Sequence, residues 1–286
     1  MEKIYINGKL AGADKAKISI FDRSFLYGDA AFETMRGYAG VVFRLDEHLA
    51  RLIDSLKILK VKHAYTKYYL KKAVYKVLNT NKLKSAYLRL VVTRGEGRFG
   101  IGYKDTFKPN LIIVARNFEG YPGWMSSKGI NAKIIGITNE YSILSKMKTA
   151  NYLNYILARF DAQSAGSDEA ILTNTKGYIT EGATSNIFIV KNNALITPSL
   201  KSGILPGITR GVIIEIAKRL KMVVKEKLVT RHELHNADEL FLTNSLAEVL
   251  PAVKVDSKRI GTGTVGPITK LLRTSYQKEV IREVLK

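Results

Sequence analysis

The sequence predicts a mixed α/β (α+β) fold divided into two domains. Strand-like and helix-like segments alternate along all 286 residues, and hairpin signals occur in both halves. A cluster of Gly, Pro and Ser residues interrupts this alternation near the middle of the chain. We therefore expect an N-terminal α/β domain over 1–118, a linker over 119–128 and a C-terminal α/β domain over 129–286.

The first domain combines hairpin strands with two amphipathic helices. Asp46 is the expected N-cap of the first helix, because apolar residues recur at helical spacing after it. In the strand over 32–38, alternation places Phe32 and Arg36 on one face, and in the strand over 86–93 it places Tyr87 and Arg89 together. The other predicted elements are a strand entering a turn over 5–9, a helix over 70–78 and a strand over 111–115.

The second domain repeats this mixture of helices and strands. Its predicted elements are strands over 130–137 and 240–243, helices over 153–160, 213–220 and 268–285, and a hairpin with strands over 186–190 and 194–196. A turn at 191–193 joins the two strands of the hairpin. Both halves therefore belong to the mixed class.

Composition limits the classes of function. The chain has 46 Lys and Arg against 25 Asp and Glu, a net charge of +21, so its surface attracts phosphates, carboxylates and nucleic acid. It has no Cys, which excludes disulfides and thiol nucleophiles and is compatible with a reducing interior. With no signal peptide and no apolar run of about 20 residues, we expect a soluble cytoplasmic protein without membrane contact.

Two motifs fail on inspection. Residues 95–100 read G-x-G-x-x-G, but residues 101–105 lack the helical periodicity that a dinucleotide site needs, so we interpret them as a flexible loop. His232 and His235 have the wrong spacing for a zinc-binding pair, and Thr230 with Glu233 forms a capping box instead. We expect no metal site.

Three segments carry residues in places suited to catalysis or anion binding. Lys146 and Lys148 lie just ahead of an apolar helix, where a partly buried amine can lose its proton and act as a nucleophile. Glu181 lies in a turn of small residues before a strand, and Arg51 lies within an apolar helix face. Taken singly, each also has a structural interpretation: a solvated lysine, a turn acid and an arginine whose stem lies along apolar surface.

A fourth signal is the turn that opens the helix over 213–220. A helix start leaves backbone amides unpaired, so Ile208 and Thr209 could hold a phosphate through an amide and a hydroxyl. The alternative is that Pro206 and Thr209 are ordinary helix-start residues.

Together and in this order, these segments resemble the class IV pyridoxal-phosphate enzymes, which include branched-chain aminotransferases, D-amino-acid aminotransferases and aminodeoxychorismate lyases. The matching segments are 21–29, 32–34, 48–52, 148–153, 181–182, 185–186, 207–210 and 237–239. The resemblance implies a two-domain fold-type IV enzyme with pyridoxal 5'-phosphate in the cleft between its domains. It also implies a homodimer or a higher homo-oligomer.

The resemblance also implies roles for individual residues. Lys148, three residues before Asn151, would bind the cofactor covalently, with Lys146 as the alternative, and Glu181 would pair with the pyridine nitrogen. The implied phosphate ligands are Arg51, the Ile208 amide, Thr209 and Ser245, and Tyr152 would bind the ring hydroxyl. The residues expected to bind substrate are Tyr27, Phe32, Arg36, Tyr87 and Arg89.

Within the family, the sequence favours a branched-chain aminotransferase acting on an L-amino acid and a 2-oxo acid. Tyr87 with Arg89 and the segment 265–270 resemble those enzymes, and Phe32 replaces a tyrosine of D-amino-acid aminotransferases. The segment 243–248 instead resembles aminodeoxychorismate lyases, which make 4-aminobenzoate and pyruvate, so that activity remains the alternative.

The +21 charge also motivates a hypothesis from another class, a basic nucleic-acid-binding protein. Its Lys residues are spread along the chain rather than clustered with aromatic residues, and no nucleic-acid-binding motif is present. We therefore expect no specific nucleic-acid partner.

Overall fold

The computed structural model describes residues 2–97, 100–102 and 108–285. Backbone contacts divide the chain into two compact units: Met1–Glu119 with Met147–Asn151, and Gly120–Lys146 with Tyr152–Lys286. The segment that contains Lys148 thus groups with the first unit, although the sequence analysis assigned it to the C-terminal domain. The predicted linker over 119–128 contains a short helix, Gly123–Ser127.

The first unit is built on one antiparallel sheet. Its strands are β1 (Lys3–Ile6), β2 (Lys9–Gly12), β3 (Ala30–Tyr38), β4 (Val41–Val42), β5 (Ala86–Thr93) and β6 (Leu111–Asn117). Its helices are α1 (Arg23–Tyr27), α2 (Leu45–Ile58) and α3 (Lys67–Thr80). Within the described residues the strand order is β2-β1-β6-β5-β3-β4.

One face of this sheet forms the core of the first unit. Met35 of β3 and Leu88 and Leu90 of β5 are fully buried there against Leu49 and Leu52 of α2. The alternation predicted for these strands explains the arrangement, since neighbouring side chains point to opposite faces. The other face therefore carries Phe32, Arg36, Tyr87 and Arg89.

The second unit contains a mixed sheet. Its strands are β7 (Ile130–Thr138), β8 (Glu169–Thr173), β9 (Ile179–Gly182), β10 (Asn186–Lys191), β11 (Ala194–Pro198), β12 (Val224–Lys227), β13 (Glu239–Asn244), β14 (Glu248–Val255) and β15 (Lys258–Arg259). Its helices are α4 (Gly123–Ser127), α5 (Leu153–Ser164), α6 (Ile208–Arg219), α7 (Arg231–His235) and α8 (Pro267–Val284). In the described part of the chain, the order is β12-β11-β10-β13-β14-β7-β8-β9, with β15 beside β14.

Helices cover this sheet and bury small and apolar side chains against it. Helix α5 packs on β7 and β8, while α6 and α8 pack against each other and against β13. Ala158 and Ala162 of α5 are fully buried in this packing. No helix within the described ranges is both long enough and apolar enough to cross a membrane.

Among the predicted boundaries that differ from the structure, two concern the roles of named residues. Helix α2 begins at Leu45 after Arg44 in the left-handed region, so Asp46 lies inside the first turn and the prediction that it is the N-cap was wrong. Lys191 belongs to β10 rather than to the hairpin turn, which consists of Asn192 and Asn193, both with positive φ. The capping box of Thr230 and Glu233 is confirmed at the start of α7.

The predicted loop over 95–105 is only partly described. Arg98, Phe99 and residues 103–107 lie outside the described residues. Gly95 has a φ of 91°, and a Cβ there would lie 2.0 Å from the carbonyl oxygen of Lys108, so this position requires glycine.

Candidate active site

The Lys148 segment is bound to the edge of β3. The Phe32 amide donates to the Lys148 carbonyl (2.9 Å), and the Ala150 amide donates to the Ala30 carbonyl (3.0 Å). Ala31 and Thr149 form an antiparallel bridge between the two segments. The backbone of Lys148 is therefore held by the sheet of the first unit.

The side chains of the two candidate lysines have different surroundings. Lys148 is partly buried, and its Nζ lies 4.7 Å from the centroid of the Phe32 ring. The Arg89 guanidinium carbon lies 3.8 Å from the same centroid. Lys146 is exposed on a 3₁₀ turn, with its Nζ 5.3 Å from the Tyr141 ring. Of the two lysines, Lys148 is thus the one that lies beside residues selected from the sequence.

The sheet face around Phe32 carries the predicted substrate residues. Arg36 of β3 is paired in register with Tyr87 of β5, and Thr34 with Arg89. Among the described residues, the Arg89 guanidinium forms no ion pair, and its contact is with the face of Phe32. This face therefore offers a cation to an anionic group such as a carboxylate.

Arg36 and Tyr27 are held by neighbouring groups. The guanidinium of Arg36 packs over the rings of Tyr38 and Phe118, at 4.6 and 5.2 Å from their centroids. Tyr27, the last residue of α1, is partly exposed and accepts a hydrogen bond from the Gly100 amide at 3.1 Å.

On the opposite face of β3, a buried carboxylate binds two residues of α2. Glu33 is fully buried and accepts hydrogen bonds from Arg51 Nε (2.8 Å), Arg51 Nη2 (2.7 Å) and His48 Nδ1 (2.7 Å). Burial alone would raise the pKa of Glu33, but the charge of Arg51 and the contact with His48 outweigh it and lower the pKa to about 2. Glu33 is therefore an anion, while burial lowers the pKa of His48 and favours its neutral form.

Ser55 connects this cluster to the lysine segment. Its hydroxyl donates to the Arg51 carbonyl one helical turn earlier (2.9 Å) and accepts from the Lys148 amide (3.4 Å). Arg51 and the Lys148 backbone are thus joined through one buried side chain.

In the second unit, Glu181 is a buried carboxylate with four neutral donors. Its Oε1 accepts from Asn139 Nδ2 (2.9 Å) and the Tyr155 hydroxyl (3.2 Å). Its Oε2 accepts from the Leu205 amide (3.0 Å) and Asn186 Nδ2 (3.3 Å). These donors hold the carboxylate in one orientation.

Tyr155 is a hydrogen-bond donor to Glu181 that the sequence analysis did not select. Burial, followed by the nearby charge of Glu181, raises the pKa of Tyr155, which therefore remains a phenol that can donate. Tyr152 stands at the start of α5 with its ring 5.1 Å from that of Tyr155. The two tyrosines form one aromatic wall in this unit.

The start of α6 lies beside this carboxylate. Gly207 is the N-cap and offers no side chain to the first amides, which include those of Ile208 and Thr209. A Cβ on Gly207 would lie 1.9 Å from Asn186 Oδ1, so the close approach requires glycine. Asn186 thus contacts both Glu181 and the residue that opens α6.

Two buried hydroxyls lie next to Asn186, one in the bend just before β10 and one on β13. Ser185 Oγ and Thr243 Oγ1 are buried without a hydrogen-bond partner among the described residues, and Thr243 is paired in register with Asn186. Ser245 lies in the turn between β13 and β14, where Asn244 Oδ1 accepts from the amides of Leu246 and Ala247. Buried hydroxyls and helix-start amides are donors that suit a phosphate.

A family model described as amino-transferase class IV matches residues 30–255, which include both of these residue clusters. The chain belongs to the class IV aminotransferases. It is therefore an enzyme. This membership favours the hypothesis of an aminotransferase over that of a nucleic-acid-binding protein.

Relatives of this aminotransferase match along nearly its whole length. A putative branched-chain-amino-acid aminotransferase from Methanocaldococcus jannaschii is 42% identical over 277 residues, which are 96% of this chain and 95% of that protein. The D-alanine aminotransferase of Bacillus licheniformis is 32% identical over 284 residues and 99% of both chains.

Solved structures agree with the fold. The branched-chain amino acid aminotransferase of Escherichia coli has a TM-score of 0.94 at 33% identity, over 97% of this chain and 94% of that chain. A T.th. branched-chain amino acid aminotransferase with pyridoxamine 5'-phosphate has a TM-score of 0.92 at 31% identity, over 97% and 93%. The prediction of a two-domain fold-type IV architecture in the mixed α/β class is confirmed by these matches.

Several residues that contact the selected ones in this aminotransferase were not predicted from the sequence. Glu33 binds Arg51, and His48 binds the same carboxylate. Tyr155 and Asn139 bind Glu181. The H-x-x-R spacing of His48 and Arg51 was the available signal, since residues three apart share a helix face.

Proposed function

We propose that this enzyme is a pyridoxal 5'-phosphate-dependent branched-chain-amino-acid aminotransferase. The observation that carries the proposal is the agreement of nearly the whole chain with the Escherichia coli branched-chain enzyme, at a TM-score of 0.94. The pyridoxamine 5'-phosphate in the T.th. structure supports the choice of cofactor.

The chemistry of the side chains fits this cofactor. A buried carboxylate with four donors, a largely buried guanidinium and a helix start without a capping side chain match a ring nitrogen and a phosphate. When bound, pyridoxal phosphate supplies an electron sink for the electrons that remain on the substrate Cα after its proton leaves.

Lys148 and Glu181 are the proposed catalytic residues. The Lys148 amine would hold the cofactor covalently and, when released, would take the proton from the substrate Cα. The contact of its Nζ with Phe32 and the attachment of its backbone to β3 support a fixed position for this amine. Glu181 would accept a hydrogen bond from the ring nitrogen and favour its protonated form.

The phosphate and the ring hydroxyl have separate proposed ligands. Arg51, the Ile208 amide, Thr209 and Ser245 would bind the phosphate, and Tyr152 would bind the ring hydroxyl. The largely buried guanidinium of Arg51 and the helix start at Gly207 support these assignments.

Arg89 is the proposed ligand of the substrate carboxylate. Its position over Phe32, without an ion pair in the described residues, supports this role. Tyr87 and Arg36 flank it on the same sheet face. The two other proposed substrate residues are Phe32 and Tyr27. An aromatic ring beside a cation suits an amino acid with an apolar side chain.

We also propose that the enzyme is a homodimer. Helix α5 exposes four large apolar side chains on one stripe, which we call the α5 stripe: Leu153, Ile156, Leu157 and Phe160. A contiguous apolar surface of this kind is suited to burial against a second copy.

Half-reaction spectra test the function directly. The purified protein is loaded with pyridoxal 5'-phosphate and mixed separately with L-valine, L-leucine, D-alanine and aminodeoxychorismate. We expect the two L-amino acids to bleach the visible absorbance band of the bound cofactor. The other two compounds should leave this band unchanged. Bleaching by D-alanine alone, or 4-aminobenzoate formed from aminodeoxychorismate, would replace the proposal by the corresponding activity. A colourless protein that binds no cofactor would exclude all three.

A further inference from the structure

Glu33 is a buried acid within an otherwise apolar strand face. It lies on β3 between Ala31 and Met35, all three are fully buried, and its face packs against α2. A carboxylate in such a place is costly unless its oxygens are satisfied. Both oxygens of Glu33 are satisfied by two cationic or polar residues of α2.

The contact with Arg51 determines the orientation of the guanidinium. Nε binds Oε1 and Nη2 binds Oε2, so two parallel hydrogen bonds fix the plane of the group as well as its position. His48 Nδ1 binds Oε2 from the preceding turn of the same helix. A single bond would let the guanidinium rotate, whereas this pairing does not.

We propose that Glu33 is a positioning residue, which holds the Arg51 guanidinium in the orientation that binds the cofactor phosphate. This role rests on the proposed function, in which Arg51 is a phosphate ligand. The link through Ser55 extends the same fixed cluster to the Lys148 backbone, so one buried acid orients the helix turn between the two groups.

Because Glu33 is negatively charged, an orienting role can be distinguished from a direct effect of its charge on phosphate binding. A carboxylate near a phosphate site repels the phosphate, so on charge alone its removal should tighten phosphate binding. If Glu33 acts by orienting Arg51, its removal should instead weaken binding. The two explanations therefore predict opposite signs.

A double-mutant cycle tests the proposal. Wild type, Glu33→Gln, Arg51→Leu and the double variant are prepared without cofactor, and dissociation constants are measured for pyridoxal 5'-phosphate and for inorganic phosphate. When Arg51 is present, we expect Glu33→Gln to weaken the binding of both ligands about 10- to 100-fold, which is the range for a lost charge-assisted contact. With Leu at position 51 the same change should alter neither constant more than about two-fold.

Glu279→Gln is the matched control. Like Glu33, Glu279 is a buried acid with two basic partners. It lies on α8, and its partners are Arg219 and Arg282. Its substitution should leave both dissociation constants unchanged. Tighter binding by Glu33→Gln, or equal effects of this substitution in both backgrounds, would overturn the positioning role.

The outcome remains interpretable if Glu33→Gln does not fold, as judged by circular dichroism. Glu33→Asp, which keeps the charge and retracts it by one methylene, then replaces it in the cycle with the same expected dependence on Arg51. If wild type binds no pyridoxal 5'-phosphate, the proposed function fails. If wild type binds it and the cycle is additive, only the role of Glu33 fails.

Discussion

Lys148 and Lys146 are two residues apart, but Lys148 is the one held against β3. We therefore expect Lys148→Ala to abolish the visible band of the bound cofactor, because alanine leaves no amine at that position. Lys146→Ala removes an exposed side chain and should keep the yellow enzyme. Absorbance spectra of the two loaded variants check this, and loss of colour in the Lys146 variant alone would shift the assignment by two residues.

Arg89 distinguishes substrate binding from cofactor binding. We expect Arg89→Leu to weaken the binding of amino acids and 2-oxo acids alike. The reason is that a charge-assisted hydrogen bond in a sheltered site contributes about 1.5–3 kcal/mol, or about 10- to 100-fold in affinity. Cofactor affinity and the visible band should stay nearly unchanged. Substrate titrations followed by absorbance measure both quantities.

Arg116 supplies the control for that titration. It lies on the neighbouring strand β6, is largely exposed and pairs with Glu2. Arg116→Leu should leave substrate affinity alone. Unchanged affinity in the Arg89 variant, or loss of cofactor along with substrate, would contradict the role of Arg89.

Residue types and spacing in the sequence pointed to Lys148, Glu181 and Arg51 through the family resemblance, but not to the groups that orient them. Glu33 alternates with apolar neighbours, and its partners follow 15 and 18 residues later on another element. Tyr155 lies in the apolar helix that follows the lysine and reads there as a core residue. Side-chain pairing between elements is not contained in local periodicity.

At the scale of elements, hydrophobic periodicity predicted most strands and helices that have one polar face. Strand β5 has the predicted bounds, and α8 differs by one residue at each end. Strands β8 and β9 were missed because they are short and fully buried, so no alternation marks them, and because they contain Glu, Ala or Gly, which are depleted in strands. The start of α2 was misplaced because Arg44 adopts a left-handed conformation that residue type does not reveal.

The start of α6 yields a prediction about one glycine. We expect Gly207→Ala to weaken cofactor binding at least about ten-fold and to lower the free energy of unfolding by about 1–3 kcal/mol, as overpacking of a tight contact does. The cause is the overlap of the new Cβ with Asn186 Oδ1. Cofactor titration and urea unfolding of the apoprotein measure the two effects.

Gly211 in the same helix is the control. A Cβ there meets no atom within 4 Å, so Gly211→Ala should leave cofactor affinity unchanged and raise stability by about 0.5–1 kcal/mol. Equal behaviour of the two variants would mean that the close approach at Gly207 has no role in the site.

At the scale of the whole molecule, a break in composition predicted a division near residue 119, close to where the contacts divide the chain. It did not predict that Met147–Asn151 returns to the first unit. That return depends on backbone hydrogen bonds with β3, which lies far earlier in the chain, and no local signal encodes them. The lysine therefore belongs to the unit that also contains Arg51 and Arg89.

Periodicity predicted helix α5 but not the direction of its apolar stripe. Ala158 and Ala162 face the sheet, whereas the α5 stripe is 44–67% exposed. A stripe that would normally form a core is thus left for another surface. A second copy of the chain is the occupant that the dimer proposal assigns to it.

Substitution in the α5 stripe tests that assignment. We expect wild type to sediment at about twice the chain mass of 31.9 kDa and Leu157→Asp/Phe160→Asp to sediment as the monomer. Each protomer loses the burial of two large apolar side chains, which removes about 3–6 kcal/mol per protomer from association. This loss weakens the dimer by at least about two powers of ten. Tyr68→Asp, at a tyrosine that is 75% exposed on α3, is the control and should remain dimeric. A monomeric wild type, or a double variant that stays dimeric at the same concentration, would remove the α5 stripe from the interface.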